Sequence, residues 1–280
     1  MPGSNEFVLR TPGGVWVTTH KLAALMAAGV RRRFSYLGEL AIRGSFLVVT
    51  LYIFSQLWRT VAEQLDARPA GYGIQQLVFY LAFAESIVFT TPGMLEPELD
   101  RELRTGDIAY RIARPLAFPL QHLATSLGDR SVRFAFNLLL GTAVAQLLVG
   151  SLACHAAACA AAVGAALLAL LVDELITLSI SLSSFWIEST FGVHMLYRRG
   201  NLLLGGALVP IAAYPDWLAD ICRALPFQYF VERPAALFVG SDASGFQMLL
   251  ATQLAWACGT GALVLVLYRA GLRRVIAQGG

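Results

Sequence analysis

The sequence has very little charge. Only 14% of its 280 residues are Asp, Glu, Lys or Arg, whereas 57% are hydrophobic and the mean hydropathy is +0.62. Soluble domains carry about 25% charged residues, which they need to cover their surface. The shortage of charge therefore excludes an ordinary soluble domain and predicts an all-α integral membrane protein, whose helices satisfy their own backbone groups within the bilayer.

Lysine is almost missing, because Lys21 is the only one. The phosphate-binding loop of an ATPase needs the pattern Gly-x-x-x-x-Gly-Lys-Ser/Thr, in which the lysine reaches the phosphates. Lys21 lies in the stretch HKLAAL, where the residue directly before it is His20 and not the glycine that the pattern needs. We therefore expect this chain to be no enzyme and to hold no cofactor. Any Mg-ATP that drives it would bind to a partner ATPase.

Cysteine and histidine are scarce as well. His155 and Cys159 share one helical face, but two ligands do not make a metal site, so we predict no metal. Cys154 and Cys222 both map to the predicted outer side, so a disulfide between them is one alternative. Since Cys159 and Cys258 fall in predicted spans, four free thiols are the favoured state.

Long apolar runs are what the sequence has in abundance, and runs of this length are typical of membrane-spanning helices. They predict six spans, at about residues 40–58, 74–92, 120–149, 156–184, 196–214 and 246–268. Asp173 and Glu174 interrupt the fourth span, which is either two half-helices or one helix that projects into the cytosol. The fifth span is short, and Gly205, Gly206 and Pro210 disturb its end.

The basic residues predict the orientation, because cytoplasmic loops retain Lys and Arg. With the N-terminus inside, only Arg59, Arg68, Arg223 and Arg233 of the 21 Lys and Arg residues lie outside. Both termini are therefore predicted to be cytoplasmic, and the net charge of +3 requires no nucleic acid. The single predicted domain consists of a cytoplasmic or interfacial N-terminal segment (1–39), a six-helix membrane bundle (40–268) and a cytoplasmic tail (269–280).

The first predicted cytoplasmic loop contains the charged stretch LDRELRTGDIAYRIARPLAFPLQ, residues 99–121. Pro97 suits the first turn of a helix, and Gly106 suits the position just after its end. Leu99 and Leu103 lie one turn apart and belong to an apolar stripe. The pattern predicts two short amphipathic helices. By pattern alone, the first either rests on lipid headgroups or docks a cytosolic partner.

The segment ELDRELRTGDIAYRIARPLAFPL resembles the intracellular loop of permeases of bacterial type 2 ABC exporters. It is most similar to the branch grouped with viologen-exporter permeases, in which the pattern R-E-I-R-x-G-D-I-A-x-x-L-x-R-P-L occurs. A second similarity lies in SFWIEST and in GALVPIAAYPDWLADICRALPFQYFVERPAALFVG. With FSYLGELAIRGSFLVVTLYIFSQLW, the resemblance covers most of residues 20–270.

The resemblance implies a transmembrane permease subunit that couples ATP hydrolysis to export of an amphipathic or hydrophobic substrate. Such subunits have six transmembrane helices, an N-terminal interfacial helix, a cytoplasmic coupling helix and short outer re-entrant helices, here over 215–240. They work in the bacterial inner membrane as pairs, identical or paralogous, and bind two cytosolic ABC ATPase subunits.

By the same resemblance, the coupling helix spans residues 96–105, and the basic residues Arg31, Arg32 and Arg33 belong to the interfacial helix. The residues expected to couple to the ATPase are Glu96, Leu99, Arg101, Glu102, Leu103, Arg104 and Asp107.

Acidic residues within the spans are candidates for the translocation path, because an ionisable residue inside a membrane indicates function. Glu85 lies in the middle of span two, where the alternative is a protonated or hydrogen-bonded carboxyl at a subunit interface. Asp173 and Glu174 either line a cavity or lie near the inner headgroups. Two other functions stay open, a lipid-modifying membrane enzyme and a passive channel. The sequence lacks the converging acids or histidines that a lipid-modifying enzyme would need. A passive channel would leave the charged loop without a role.

Cysteine labelling tests the predicted topology. In a cysteine-free variant, single cysteines near Asp107 and Arg273 should react with an impermeant maleimide only from the cytosolic side. Cysteines near Asp66 and Asp242 should react only from the outside, because the basic loops hold the opposite face in the cytoplasm. Sealed vesicles of both orientations provide the measurement. Labelling of position 66 from the inside would overturn the six-span topology.

Overall fold

The computed structural model describes residues 15–34, 37–65, 71–91, 116–152, 155–240 and 245–279. Across these ranges the chain is helical and contains no strand, which confirms the predicted all-α class. The α-helices in chain order are α1 (Val15–Phe34), α2 (Leu37–Leu65), α3 (Ile74–Val88), α4 (Phe118–Val149), α5 (Ala156–Leu182), α6 (Phe191–Leu204), α7 (Asp216–Ala224), α8 (Glu232–Phe238) and α9 (Phe246–Gly279).

Four segments are long and apolar enough to cross a bilayer, and they match predicted spans one, three, four and six. They are Gly38–Glu63, Phe118–Val149, Ala156–Phe185 and Phe246–Arg274. The helix α3, in predicted span two, is also apolar but has 15 residues. That is about 22 Å of helix, compared with a hydrocarbon core of about 30 Å. Every α3 residue from Leu77 to Ile87 is buried, so α3 is enclosed by its neighbours.

The predicted fifth span, about residues 196–214, is wrong as a single helix, because α6 ends at Leu204. Gly206 adopts a φ of +73°, a backbone conformation that favours glycine. Pro210 then lacks the amide hydrogen that a continuing helix would need. The chain instead continues as a 3-10 turn followed by the short helices α7 and α8, in the region predicted to form short helices.

The predicted fourth span is one helix, so the alternative of two half-helices is wrong. The helix α5 passes through Asp173 and Glu174 without a break. Both carboxylates form ion pairs with Arg130 of α4, and this pairing allows the charges to be buried inside a regular helix. The charged first half of span three is likewise part of one 32-residue helix, α4.

The helices α2, α3 and α4 alternate in direction. Side chains of Arg59 in α2 and Gln75 in α3 donate hydrogen bonds to backbone carbonyls in the last turn of α4. Near the other end, Arg43 of α2 donates to the carbonyl oxygen of Thr91, just after α3, at 3.3 Å. The N-termini of α2 and α4 and the C-terminus of α3 therefore share one end of the bundle. We call it the charged end, because most of the ion pairs described below lie there.

The N-terminal helix α1 packs directly on α4 through two glycines. A Cβ atom at Gly29 would lie 2.2 Å from the carbonyl oxygen of Thr125, and one at Gly128 would lie 2.2 Å from that of Met26. The two backbones touch at both positions, an approach that only glycine permits. The predicted interfacial helix is thus packed into the bundle along one side.

Gly29→Ala tests this helix contact, because the added methyl group meets the Thr125 carbonyl at 2.2 Å. We expect a loss of about 1–3 kcal/mol in the free energy of unfolding, as for other overpacked sites. Gly164→Ala in α5 is the control, since a Cβ there meets nothing within 4 Å. It should gain about 0.5–1 kcal/mol through helix propensity. Unfolding by SDS titration in mixed micelles measures both, and equal effects would contradict the close contact.

Candidate functional site

The helix α4 carries ionised side chains on two faces of its first half. Asp129 and Arg133 are one turn apart and face α1 and α2, as their ion-pair partners show. Arg130 follows Asp129 by one residue, which rotates it by about 100° around the helix towards α5. All three side chains are buried. Consecutive residues of one helix thus start two separate charge networks.

The first network joins α1, α2 and α4. Arg33 contacts Asp129 through Nε at 2.7 Å and Glu39 through Nη1 at 2.7 Å. Arg133 reaches the same two carboxylates, Asp129 at 2.8 Å and Glu39 at 3.2 Å. Arg43 lies one turn after Glu39 and pairs with it at 3.0 Å. Three guanidinium groups therefore share two carboxylates.

The second network joins α4, α5 and α6. Nη1 of Arg130 donates to Asp173, and its Nη2 lies 2.6 Å from Oε2 of Glu174. The hydroxyl group of Tyr197 in α6 donates to Asp173 at 2.7 Å, and Nε2 of His122 lies 3.0 Å from Oε1 of Glu174. One guanidinium group therefore pairs with two buried carboxylates, and the hydrogen bond from Tyr197 to Asp173 connects α6 to them.

The charges of the two networks balance across α4. The first has one excess positive charge and the second one excess negative charge when His122 is neutral. Together they comprise the four arginines Arg33, Arg43, Arg130 and Arg133 and the four acids Glu39, Asp129, Asp173 and Glu174. A buried ion without a partner costs several kcal/mol, so the networks stabilise the bundle only as complete sets.

The three predicted residues of the translocation path lie at different places. Asp173 and Glu174 are buried together in the second network, where Arg130 and Tyr197 occupy their carboxylates. Glu85 lies on α3, is 2% exposed, and its Oε1 atom has no hydrogen-bond partner. The structure therefore brings the α5 pair together and leaves Glu85 apart from it.

The three predicted interfacial arginines divide between two roles. Arg31 and Arg32 are exposed on α1, whereas Arg33 points into the bundle and joins the first network. Three consecutive arginines in a sequence do not reveal which one points into the bundle. For Arg33 this depends on Asp129, which lies 96 residues further along the chain. The seven predicted coupling residues, Glu96, Leu99, Arg101, Glu102, Leu103, Arg104 and Asp107, lie outside the described residues.

Sequence reasoning missed Asp129, Arg130 and Arg133, from which the two networks start, and the inward direction of Arg33. The available signal was the pair Asp129 and Arg133 at i,i+4 spacing within a predicted span, where charge is expensive unless it is paired.

A further acid lies where α8 packs near the end of α6. Oε1 of Glu232 accepts a hydrogen bond from the backbone amide of Ile211 at 3.1 Å, and Tyr80 of α3 donates to the carbonyl oxygen of Gly206 at 2.6 Å. These contacts hold the turn that ends α6 against α3 and α8.

The described cysteines Cys159, Cys222 and Cys258 are free thiols, while Cys154 lies outside the described residues. Within the described ranges, no group of three or more His, Cys, Asp or Glu side chains has a geometry that would hold a metal ion.

Arg130→Met tests the second network. The substitution leaves Asp173 and Glu174 buried without their cation, which should cost about 3–5 kcal/mol in the free energy of unfolding. Adding Asp173→Asn and Glu174→Gln to Arg130→Met should recover much of the loss, because it removes the uncompensated charges. Arg223→Met, which breaks the exposed pair with Asp220, is the control and should cost about 0–1 kcal/mol. SDS titration measures all three, and an Arg130 effect no larger than the Arg223 effect would contradict the network.

Comparison with known proteins gives one match. The protein family described as "ABC-2 family transporter protein" matches residues 46–279. No significant match was found among curated proteins or among solved structures. The matched range holds every helix from α3 to α9 and most of α2. This family forms the membrane component of ABC transporters and associates with an ABC ATPase subunit. The chain therefore belongs to the ABC-2 family of transporter proteins, as a multi-pass membrane permease.

Proposed function

We propose that this chain is the permease subunit of an ABC exporter, of the branch that resembles viologen-exporter permeases. Two permease subunits, identical or paralogous, form the translocation path in the bacterial inner membrane, and two ABC ATPase subunits bind on the cytosolic side. Mg-ATP is bound and hydrolysed there, and the permease turns the resulting movement into export.

One observation carries this proposal: the bundle holds both ends of the predicted coupling loop at the charged end. Arg43 of α2 donates to the carbonyl oxygen of Thr91, just before the loop begins. After the loop, Leu116 is buried, and its carbonyl oxygen accepts a hydrogen bond from the Gln121 side chain. Because both ends of the loop are bonded to the bundle, a movement of the loop is transmitted to the helices.

The charge networks extend this connection to five helices. The first network joins α2, which anchors the loop start, to α1 and α4. The second joins α4, which follows the loop, to α5 and α6. Because the pairs of Arg33, Asp129, Arg130, Asp173 and Glu174 are buried and the carboxylates have more than one partner, we propose that the helix ends move together when the ATPase subunits close on ATP. The pairing of residues on several helices favours such a rigid-body movement over independent helix motions.

Six membrane crossings agree with this arrangement. Four segments have the required length and apolarity. The short helix α3 makes the second crossing within the protein, and α6 with the turns and short helices after it makes the fifth. The helix α6 is about as short as α3, at about 21 Å, but it is mostly exposed, so we assign the rest of this crossing to the turns and short helices after it. Both termini then lie in the cytoplasm, and α7 and α8 lie towards the outside.

The proposed path lies between two permease subunits and suits an amphipathic or hydrophobic substrate. The outer face of α2 presents Phe46, Val49, Tyr52 and Ile53, all more than half exposed. Such a face supports contact with lipid, with the second permease or with an apolar substrate entering from the side. Glu85 is the candidate polar group for transport, because its buried Oε1 atom has no hydrogen-bond partner and an ionisable residue inside a membrane indicates function.

The double substitution Leu99→Ala and Leu103→Ala tests the proposed coupling helix. Truncating buried apolar anchors at an interface costs about 2 kcal/mol or more, so the variant should release the ATPase and lose stimulated ATP hydrolysis. Arg101→Ala with Arg104→Ala should weaken binding much less, because charges at the rim add little affinity. Co-purification with an ATPase identified by its P-loop sequence, followed by ATP turnover in nanodiscs, provides the measurement.

Leu139→Ala with Leu147→Ala is the control for that experiment, because both leucines are exposed on α4 and lie away from the charged end. This variant should bind and stimulate the ATPase like the parent chain. If the Leu99 and Leu103 variant also does so, the loop helix is not the coupling element. If the parent chain itself binds no ATPase with a P-loop, the proposed exporter function is wrong.

A further inference from the structure

The helix α6 presents an arginine in the middle of an exposed apolar stripe. Leu196, Arg199 and Leu203 follow one another at the i, i+3, i+7 spacing of one helix face. The two leucines are 75% and 60% exposed, and Arg199 between them is exposed as well. Its guanidinium group forms no hydrogen bond or ion pair with any residue that the structure describes. An exposed charge on an apolar helix face is costly in lipid, so it indicates a function.

The position of Arg199 along α6 is near the inner boundary of the hydrocarbon core. The ring of His194 lies 3.1 Å from the hydroxyl group of Ser181. One turn later, Tyr197 donates to Asp173 at 2.7 Å, so α6 runs back along α5 from the charged end. From its first residue to Asp173, α5 covers about 26 Å, compared with a hydrocarbon core of about 30 Å. Arg199 follows Tyr197 by two residues and therefore lies close to this level.

The inner half of α6 carries positive charge that the two networks do not balance. Four acids and four arginines already balance there, so Arg198 and Arg199 add two positive charges beside the second network. Arg198 is half-buried, and its charge interacts with those of Asp173 and Arg43. Because Arg43 belongs to α2, the inner parts of α2 and α6 lie close together. The acid Glu188 precedes α6, whereas Arg199 lies more than two turns inside this helix.

A second, identical copy of the chain offers no acid to Arg199 among the described residues. A twofold axis along the membrane normal keeps every residue at its depth, so Arg199 could meet only groups of its own level. The exposed acids lie in the last turn of α2, before α6 and in α7, namely Glu63, Glu188, Asp216 and Asp220. The remaining acids in the described ranges are buried or bonded within their own chain. The anion that this surface fits is therefore not supplied by the bundle.

Other exposed arginines have a different place in the fold. They lie near the C-terminal ends of α1 and α9, namely Arg31, Arg32, Arg269, Arg273 and Arg274. Arginines at the cytoplasmic ends of membrane helices are expected, because they set the orientation of the chain. Arg199 differs from them, because exposed leucines lie on both sides of it along α6.

We propose that Arg199 binds the anionic head group of an amphipathic substrate, a phosphate or carboxylate on an apolar chain. The apolar part would rest on the exposed leucines of α6 and on the outer face of α2. This inference rests on the proposed function, since it takes this surface as a wall of the translocation path. A guanidinium group matches phosphate and carboxylate through two parallel hydrogen bonds. It repels cations, so the substrate differs in charge from the viologens after which the similar branch is named.

Photoaffinity labelling tests the charge of the bound molecule. The probe is hexadecyl phosphate with a diazirine in its chain, and matched probes carry a trimethylammonium or a hydroxyl group in place of the phosphate. The permease–ATPase complex is labelled in nanodiscs of phosphatidylcholine, and the labelled peptides are identified by mass spectrometry. We expect the phosphate probe to label α2 and α6 more strongly than the other two probes. Arg199→Gln should lower this labelling about tenfold, as for the loss of a charge-assisted hydrogen bond.

Two controls separate a substrate site from general attraction. Arg269→Gln removes another exposed arginine, on α9, and should leave labelling of α2 and α6 unchanged. Arg199→Lys should keep part of the labelling, because it retains the charge without the planar fork. Equal losses in Arg199→Gln and Arg269→Gln would overturn the proposal. Loss of labelling in nanodiscs that contain phosphatidylglycerol would also overturn it, since Arg199 would then hold a lipid of the leaflet.

ATP turnover distinguishes this inference from the proposed function. Hexadecyl phosphate, added below its micellar concentration, should stimulate ATP hydrolysis by the parent complex, and Arg199→Gln should lose this stimulation. Stimulation by hexadecyltrimethylammonium but not by hexadecyl phosphate would refute the anionic substrate and leave the exporter function standing. A parent chain that binds no ATPase would refute both.

Discussion

The charged pairs formed by Asp129 and Arg130 of α4 are the interaction on which the arrangement of the helices depends. These two consecutive residues point about 100° apart around the helix, so that Asp129 pairs with Arg33 of α1 and Arg130 pairs with Asp173 and Glu174 of α5. Glu39 extends the first set of pairs to α2, and Tyr197 extends the second to α6. A buried ion that loses its partner costs about 3–5 kcal/mol, a large part of the stability of a typical protein. The helices are therefore held in one register at this end.

Glycines make these charge networks possible by bringing the helix backbones together. At Gly29 and Gly128 the backbones of α1 and α4 touch, and Arg33 lies one turn after Gly29 at the distance that its ion pair with Asp129 requires. Gly271 likewise permits a close contact on α9, where the Phe185 ring packs against it. In lipid, where apolar contact alone gives helices little reason to associate, close packing and buried polar contacts supply the attraction.

A permease of an ABC transporter must convert the movement of a separate ATPase into movement of its own helices. The charged end suits this task, because the loop anchors and the charge networks lie together there. The opposite half of the bundle is built differently. There α6 ends early at Gly206, and short helices tied by Tyr80 and Glu232 replace a long span. The helices are thus joined by charge at one end of the bundle, and the chain is broken into short elements at the other.

The sequence by itself determined the class of fold and the positions of the four long spans, and it indicated that Gly205, Gly206 and Pro210 disturb the end of the fifth predicted span. These features depend on local properties, namely hydropathy over a span and the backbone limits of glycine and proline. Only the tertiary structure decided that Arg33 turns inward while Arg31 and Arg32 do not, and that α5 continues through Asp173 and Glu174. Both outcomes depend on partners on α4, 96 residues from Arg33 and 43 residues from Asp173. A buried charge is stable only beside its partner, and folding alone brings residues so distant in sequence together.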